Sequence, residues 1–153
     1  MEERRSLASR VLVGLLVLLA LGALPAGALF MLAPDGSLIG MPLSVLAHSP
    51  FHSFFVPGLV LFTLVGVYPL VAAYGLWKKP DWRWAERFNP LRKYRWPLAA
   101  SLAAGVILIG WIMVQVFIIG YGSFLQLFYL IYGAVIVAMS VSRAVRDDFR
   151  IDR

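Results

Sequence analysis

Residues 97–142 read "PLAASLAAGVILIGWIMVQVFIIGYGSFLQLFYLIYGAVIVAMSVS" and contain no Asp, Glu, Lys, Arg or His. This run is about twice as long as one crossing needs, since roughly 20 apolar residues in a helix span a hydrocarbon core of about 30 Å. Its middle carries two glycines, Gly120 and Gly122, where a chain can reverse direction. We therefore predict two antiparallel transmembrane helices, 97–119 and 122–142, joined by a short link at Gly120–Tyr121.

Two earlier stretches, 11–33 and 53–77, are also apolar and free of ionisable side chains. The chain of 153 residues is 61% hydrophobic and 14% charged, whereas soluble domains have about 25% charged residues. That leaves too little polar surface for a soluble protein. Although "ALPAGA" near Pro25 is typical of a signal-peptide cleavage site, apolar residues continue through Met31 and favour a full span. The sequence predicts an all-α protein with one domain, 1–153, formed by a bundle of four transmembrane helices.

The positive charges are confined to three segments of the chain. All Lys and Arg residues lie before the first span (Arg4, Arg5, Arg10), between the second and third (Lys78, Lys79, Arg83, Arg87, Arg92, Lys93, Arg95) or after the fourth (Arg143, Arg146, Arg150, Arg153). The positive-inside rule then places both termini and the middle segment in the cytoplasm. We expect the seven cations of the middle segment to contact anionic lipid headgroups. Aromatic residues alternate with them, as in single-strand nucleic-acid grooves, but the flanking spans favour lipid, and no nucleic-acid partner is predicted.

The connection between the first two spans, residues 34–52, is long and apolar for a loop. "APDGS" at Ala33–Ser37 predicts a turn, Pro42 is suited to open a short helix through Ala47, and Ser49-Pro50 predicts the start of the second transmembrane helix. The connection either lies in the outer membrane interface as an anchor or folds back over the bundle as a lid. The anchor is the simpler interpretation.

Most catalytic chemistry lacks the residues it needs. The spans contain no ionisable side chain for a proton relay or for ion coupling, and the chain has no cysteine. His48 and His52 are the only histidines, and their spacing of four makes them weak metal-ligand candidates if one helix carries both. We therefore predict no metal, no cofactor and no enzymatic activity.

Two glutamines flank the predicted link at equal sequence distance. If the last two helices are antiparallel about Gly120–Tyr121, Gln115 and Gln126 lie at the same depth, about 8 Å below the turn. The favoured interpretation is a clasp in which the two amides hydrogen-bond across the helices. The alternative is an outward-opening ligand pocket. Its candidate residues are Gln115, Gln126, Tyr121, Tyr129, His52 and Trp111.

Small residues recur at spacings of four in the last two spans: Ala100 with Ala104, Ser101 with Gly105, and Ala134 with Ala138. Such pairs allow helices to approach closely. Packing within the bundle is the simpler explanation, and a homo-oligomer or a partner membrane protein is the alternative.

Two long stretches, Pro34–Phe62 and Gly110–Gly133, carry a family resemblance. They contain "GMPLS…SPF…PGL" and "GW…VQ…IGY…LQ", and in these motifs the chain resembles small uncharacterised bacterial four-span membrane proteins, which have no established activity. The resemblance implies the bacterial inner membrane and directs attention to the outer half of the bundle. The expected function is non-catalytic binding of a lipid-like or small apolar ligand, or of a partner membrane protein. The alternatives are an uncoupled small-molecule carrier or channel and, less favoured, an enzyme using His48 or His52.

Overall fold

The computed structural model describes residues 5–151, which fold into helices joined by short connections. The elements are α1 (Leu7–Leu32), a 3-10 turn (Leu43–Leu46), α2 (Phe55–Lys78), α3 (Arg83–Arg87), α4 (Trp96–Ile119), α5 (Phe124–Val141) and α6 (Arg143–Asp148). The helices α1, α2, α4 and α5 are long and apolar enough to cross a membrane. The predicted all-α, multi-pass fold with four spans is therefore confirmed. Two of the predicted cytoplasmic cations, Arg4 and Arg153, lie outside the described residues.

The first span begins earlier than its uncharged run. Ser6 caps α1, because its hydroxyl accepts a hydrogen bond from the backbone N–H of Ser9 at 3.2 Å. Such a cap satisfies one of the backbone donors that a helix start leaves without a partner. The helix consequently starts at Leu7 and carries Arg10 in its first turns.

The second span changes its hydrogen-bonding pattern midway. It is α-helical over Phe55–Val60, π-helical over Leu61–Val67 and α-helical again over Tyr68–Lys78. In the π segment the N–H of Tyr68 donates to the carbonyl of Thr63, five residues back. Pro69 follows at once and has no N–H to donate, so the series of helical hydrogen bonds is interrupted where the π segment ends.

The four spans form a ring in which α1 packs on α2, α2 on α4, α4 on α5, and α5 on α1. Glycines permit the two closest crossings. A Cβ on Gly27 of α1 would lie 2.8 Å from the carbonyl oxygen of Gly58 in α2. A Cβ on Gly105 of α4 would lie 3.0 Å from the carbonyl oxygen of Gly133 in α5. Backbones therefore meet at both crossings without intervening side chains.

The small-residue pattern predicted one of these crossings. Ser101 and Gly105 face α5, where the Ser101 hydroxyl lies 3.1 Å from that of Ser140. Ala134 and Ala138 are exposed and face away from the bundle. In the most apolar stretch of each span, at most 28% is buried within the bundle. Most of the apolar surface of the four spans therefore needs lipid around it.

The three basic segments meet at one end of the bundle, called the basic end below. One carboxylate oxygen of Asp148 accepts hydrogen bonds from the hydroxyls of Ser6 and Ser9, each at 2.6 Å, and from the N–H of Ser6 at 2.9 Å. The ammonium of Lys79 donates to the carbonyl of Asp148 at 2.9 Å. The chain after the fourth span does not continue α5 into solvent, because α5 ends at Val141 and the side chains of Val145 and Phe149 are completely buried.

The middle segment at the basic end is folded rather than loose. The carboxylate of Glu86 accepts hydrogen bonds from the backbone N–H of Trp96 at 2.9 Å and from the side-chain amide of Asn89 at 3.0 Å. The same Asn89 amide also donates to the carbonyl of Tyr94 at 2.7 Å. Trp96 is buried, and its ring stacks on Trp82 with centroids 5.1 Å apart. Trp96 therefore belongs to the protein interior and not to a membrane interface.

Candidate functional site: a cavity opposite the basic end

The connection between α1 and α2 folds back over the bundle at the end opposite the basic end. Gly36 has a φ of +80°, and its carbonyl accepts from the N–H of Met41 at 3.0 Å, so the chain reverses within a few residues. The ring of Phe54 is buried and stacks on Phe30 of α1 with centroids 4.9 Å apart. The connection is thereby fixed to α1 at its far end, and Met41 is placed over the bundle.

Below Met41 lies a cavity of about 300 Å³. Its wall is mainly apolar. It is formed by Met41 of the connection, Ser123 of the turn before α5, and residues of all four spans: Leu19, Gly22, Ala23, Ala26, Leu61, Val65, Leu108, Trp111, Ile112, Gln115, Ile119, Leu125, Gln126 and Tyr129. The volume lies at the lower end of the range of about 300–1,000 Å³ that is usual for small-molecule sites. Leu61 and Val65 come from the π segment of α2, a kind of irregularity that occurs often at functional sites.

The two glutamines both line this cavity, but they do not form the predicted clasp. The side-chain oxygen of Gln126 accepts from the N–H groups of Gly122 and Ser123, at 3.2 and 3.4 Å, and its amide nitrogen donates to the carbonyl of Gly120 at 3.2 Å. Ser123 and Gln126 together form a capping box at the start of α5. Within residues 5–151 no hydrogen bond joins Gln126 to Gln115, so the clasp prediction is wrong.

The physical reason is the position of the turn. The helices end at Ile119 and begin at Phe124, so the link is centred beyond Gly120–Tyr121 and the equal-depth argument fails. Gln115 lies four positions inside α4, about 6 Å below its end at 1.5 Å per residue. Gln126 lies in the first turn of α5, where the free backbone groups of the turn are within reach.

Gln115 is left with a free amide. Its side chain makes no hydrogen bond to any part of the chain that the structure describes, although it lies within a transmembrane helix and lines the cavity. The indole Nε1 of Trp111, one helical turn away, is also buried and has no hydrogen-bond partner among the residues that the structure describes. A polar group in hydrocarbon that lacks a partner is costly, so this wall offers stabilisation to any molecule that supplies one.

The six predicted pocket residues divide into two sets. Trp111, Gln115, Gln126 and Tyr129 line the cavity. Tyr121 is 67% exposed at the turn between α4 and α5 and does not line it. His52 is exposed in the connection and is likewise absent from the wall.

The two histidines do not share a helix. α2 begins at Phe55, not at Ser49-Pro50 as predicted, so the spacing of four between His48 and His52 does not place them on one helical face. Both side chains are exposed. Across residues 5–151, no group of three or more His, Cys, Asp or Glu side chains is placed to hold a metal ion.

The seven cations expected at lipid headgroups also divide. Lys78, Arg83, Arg87, Arg92, Lys93 and Arg95 are exposed at the basic end. Lys79 instead adopts a left-handed conformation at the end of α2, and its ammonium lies 5.0 Å from the centre of the Phe149 ring. Its contacts with the C-terminal segment give it a structural role.

Sequence reasoning missed the capping box at the turn and most of the cavity wall, including Gly22 and Met41. The spacing of Ser123 and Gln126 is the S-x-x-Q signature of a capping box, which indicates that Gln126 serves its own helix. Gly22 and Met41 carry no comparable signal. Their place in the wall depends on how α1 packs against α5 and on how the connection folds back.

Comparison of the chain with models of protein families, with curated proteins and with solved structures gave no match.

Proposed function

We propose that this protein is a small, non-catalytic integral membrane protein that binds a lipid-like or small apolar ligand in the cavity opposite the basic end. The observation that carries the proposal is the cavity itself, about 300 Å³ with a mainly apolar wall and the free amide of Gln115. Apolar walls with a few placed polar groups are typical of small-molecule sites. An apolar ligand there gains by leaving water, and the amide gains a partner.

The proposal includes the orientation of the protein in a bacterial inner membrane. The three basic segments meet at one end of the bundle, and the positive-inside rule assigns that end, with both termini, to the cytoplasm. The cavity then opens in the outer half of the membrane. The six exposed cations of residues 78–95 are placed for anionic headgroups of the cytoplasmic leaflet, each worth about 1 kcal/mol.

The packing between the cavity and the basic end does not favour a carrier. Leu12 and Leu16 of α1, Leu76 of α2 and Leu98 of α4 fill that region and are at most 1% exposed. A carrier or channel needs a polar path between the two faces, and these four side chains occupy its course. Ligand binding from one side is the function that this arrangement supports.

The test fills the cavity from α1. Gly22 lines the cavity, and a Cβ added there would be in ordinary contact with the Tyr129 hydroxyl at 3.5 Å, so a larger side chain has room to extend into the space. The substitution Gly22→Leu therefore occupies the cavity without forcing the helices apart. Gly14→Leu is the matched control, because a Cβ on Gly14 of the same helix would meet no atom within 4 Å.

Native mass spectrometry of the three proteins, released from a mild detergent, measures the ligand that each retains. We expect wild type and Gly14→Leu to carry the same bound mass and Gly22→Leu to lose it, with all three showing the same helical content. Equal retention by Gly22→Leu, or no retained mass in wild type after purification in the mildest detergent, would refute binding in this cavity. The same spectra report whether the chain forms the homo-oligomer that its small-residue pattern allows.

A further inference from the structure

Among the side chains of the cavity wall, one amide has the largest polar capacity that the described residues leave unused, beside the smaller capacity of the Tyr129 hydroxyl. A glutamine amide offers two donor hydrogens and a carbonyl oxygen with two acceptor positions. Gln126 uses both acceptor positions and one donor within its own turn. Gln115 uses none among the described residues, so it is the wall residue with most capacity for a ligand. The Trp111 Nε1 is covered by neighbouring atoms, and the inference therefore rests on Gln115.

The charge around the cavity restricts the ligand further. Between Arg10 and Lys78, and again between Arg95 and Arg143, the sequence contains one residue among Asp, Glu, Lys and Arg, which is Asp35. Hydrogen bonds from Ser37 hold the pKa of Asp35 below its ordinary value, so this exposed side chain is an anion near neutral pH. An anionic headgroup would find no lysine or arginine in the cavity wall, and Asp35 adds negative charge to the connection that carries Met41.

The size of the cavity restricts the apolar part. A volume of about 300 Å³ holds one small molecule or part of one chain. A lipid with two acyl chains exceeds it. The wall below Gln115 is formed by aliphatic side chains such as Leu19, Leu61 and Leu108, which suit a saturated or weakly branched chain.

We infer that the ligand is a neutral amphiphile with a single chain, whose hydroxyl or carbonyl group hydrogen-bonds to the amide of Gln115 while the chain occupies the cavity. This inference rests on the proposed function and names its ligand class. Gln115 acts as the selectivity residue: it supplies both donor and acceptor but no charge. A hydrocarbon gains nothing from the amide, and a carboxylate loses more in desolvation than one neutral donor returns.

The experiment compares three probes of equal chain length on delipidated protein: monododecanoylglycerol, dodecanoate and dodecane. Binding is measured by native mass spectrometry at increasing probe concentration, on wild type, Gln115→Leu, Gln115→Asn and Gly22→Leu. We expect wild type to bind monododecanoylglycerol about tenfold more tightly than either other probe. Gln115→Leu should remove that preference by weakening glyceride binding to the level of dodecane, and Gln115→Asn should retain part of it because it keeps an amide.

The outcomes separate this inference from the function on which it rests. Equal affinity for the three probes in wild type, or an unchanged preference in Gln115→Leu, would overturn the ligand class while leaving a cavity that binds apolar chains. Probe binding that Gly22→Leu does not reduce, or no binding of any probe, would overturn both the cavity function and the ligand class. Tighter binding of dodecanoate than of the glyceride would also overturn the neutral headgroup.

Discussion

The contact of Asp148 with the start of α1 yields the sharpest stability prediction. Asp148→Asn keeps the size of the side chain but removes its charge, and with it the charge assistance of three hydrogen bonds from Ser6 and Ser9. A neutral hydrogen bond contributes about 1 kcal/mol, and a hydrogen bond to a charged acceptor contributes about twice as much. Losing the charge therefore costs about 1 kcal/mol for each bond. Three such bonds imply a loss of about 3 kcal/mol. Because Asp148 is only partly buried, solvent screening reduces this to about 1–2 kcal/mol in the free energy of unfolding.

The pH dependence of this loss follows from the shifted pKa. Burial raises the pKa of Asp148, but the hydrogen bonds from Ser6 and Ser9 outweigh it and hold the pKa below the ordinary value of 3.8. A carboxyl group with a lowered pKa in the folded state contributes its stability above the unfolded pKa and loses it as the pH falls through the folded pKa. The difference in the free energy of unfolding between wild type and Asp148→Asn should therefore be full above pH 3.8 and should shrink as the pH falls below that value.

Reversible unfolding in mixed micelles, monitored by circular dichroism across this pH range, measures the difference. Asp147→Asn is the matched control, since it removes the same charge from the adjacent, exposed position. Equal destabilisation by the two variants at neutral pH would refute the argument. So would a wild-type advantage over Asp148→Asn that persists in full at the lowest pH.

Two further predictions concern the transmembrane packing. Gly105→Ala should destabilise the bundle by about 1–3 kcal/mol, because its Cβ would lie 2.8 Å from Val137 and 3.0 Å from the Gly133 carbonyl. Gly110→Ala on the same helix is the control: its Cβ would meet no atom within 4 Å, so the variant should be neutral or stabilising. Comparable micelle unfolding curves for the two variants would contradict the close crossing. Tyr132→Phe should lower the free energy of unfolding by about 0.6–1.7 kcal/mol, because it removes the hydroxyl that donates to the Leu15 carbonyl of α1. Tyr121→Phe at the exposed turn is the control and should have no effect. Thermal denaturation of the two proteins in detergent tests this, and a Tyr132→Phe midpoint equal to that of wild type would count against the contact.

The cavity could be predicted in part. Trp111, Gln115, Gln126 and Tyr129 were identified because polar and aromatic residues stand out within an apolar run near a turn. His52 was also a candidate, but α2 starts at Phe55, which leaves His52 exposed in the connection and outside the wall. Asp148, Ser6 and Ser9 escaped notice, since a residue and its partner 142 positions away leave no local pattern. The apolar pair Val145 and Phe149, four residues apart in a charged tail, was the available sign that this segment packs.

What the sequence determined by itself is the number of spans and the separation of charge between the two ends of the bundle. Both are local properties, because the thickness of the hydrocarbon core sets how many uncharged residues make one crossing. The tertiary structure alone decided which polar groups have partners. A shift of a few residues in the start of α5 gives Gln126 the backbone groups of its own turn and leaves Gln115 without a partner among residues 5–151. The fold of the connection then places Met41 in the wall of the same cavity, which results from packing that no single stretch of the chain encodes.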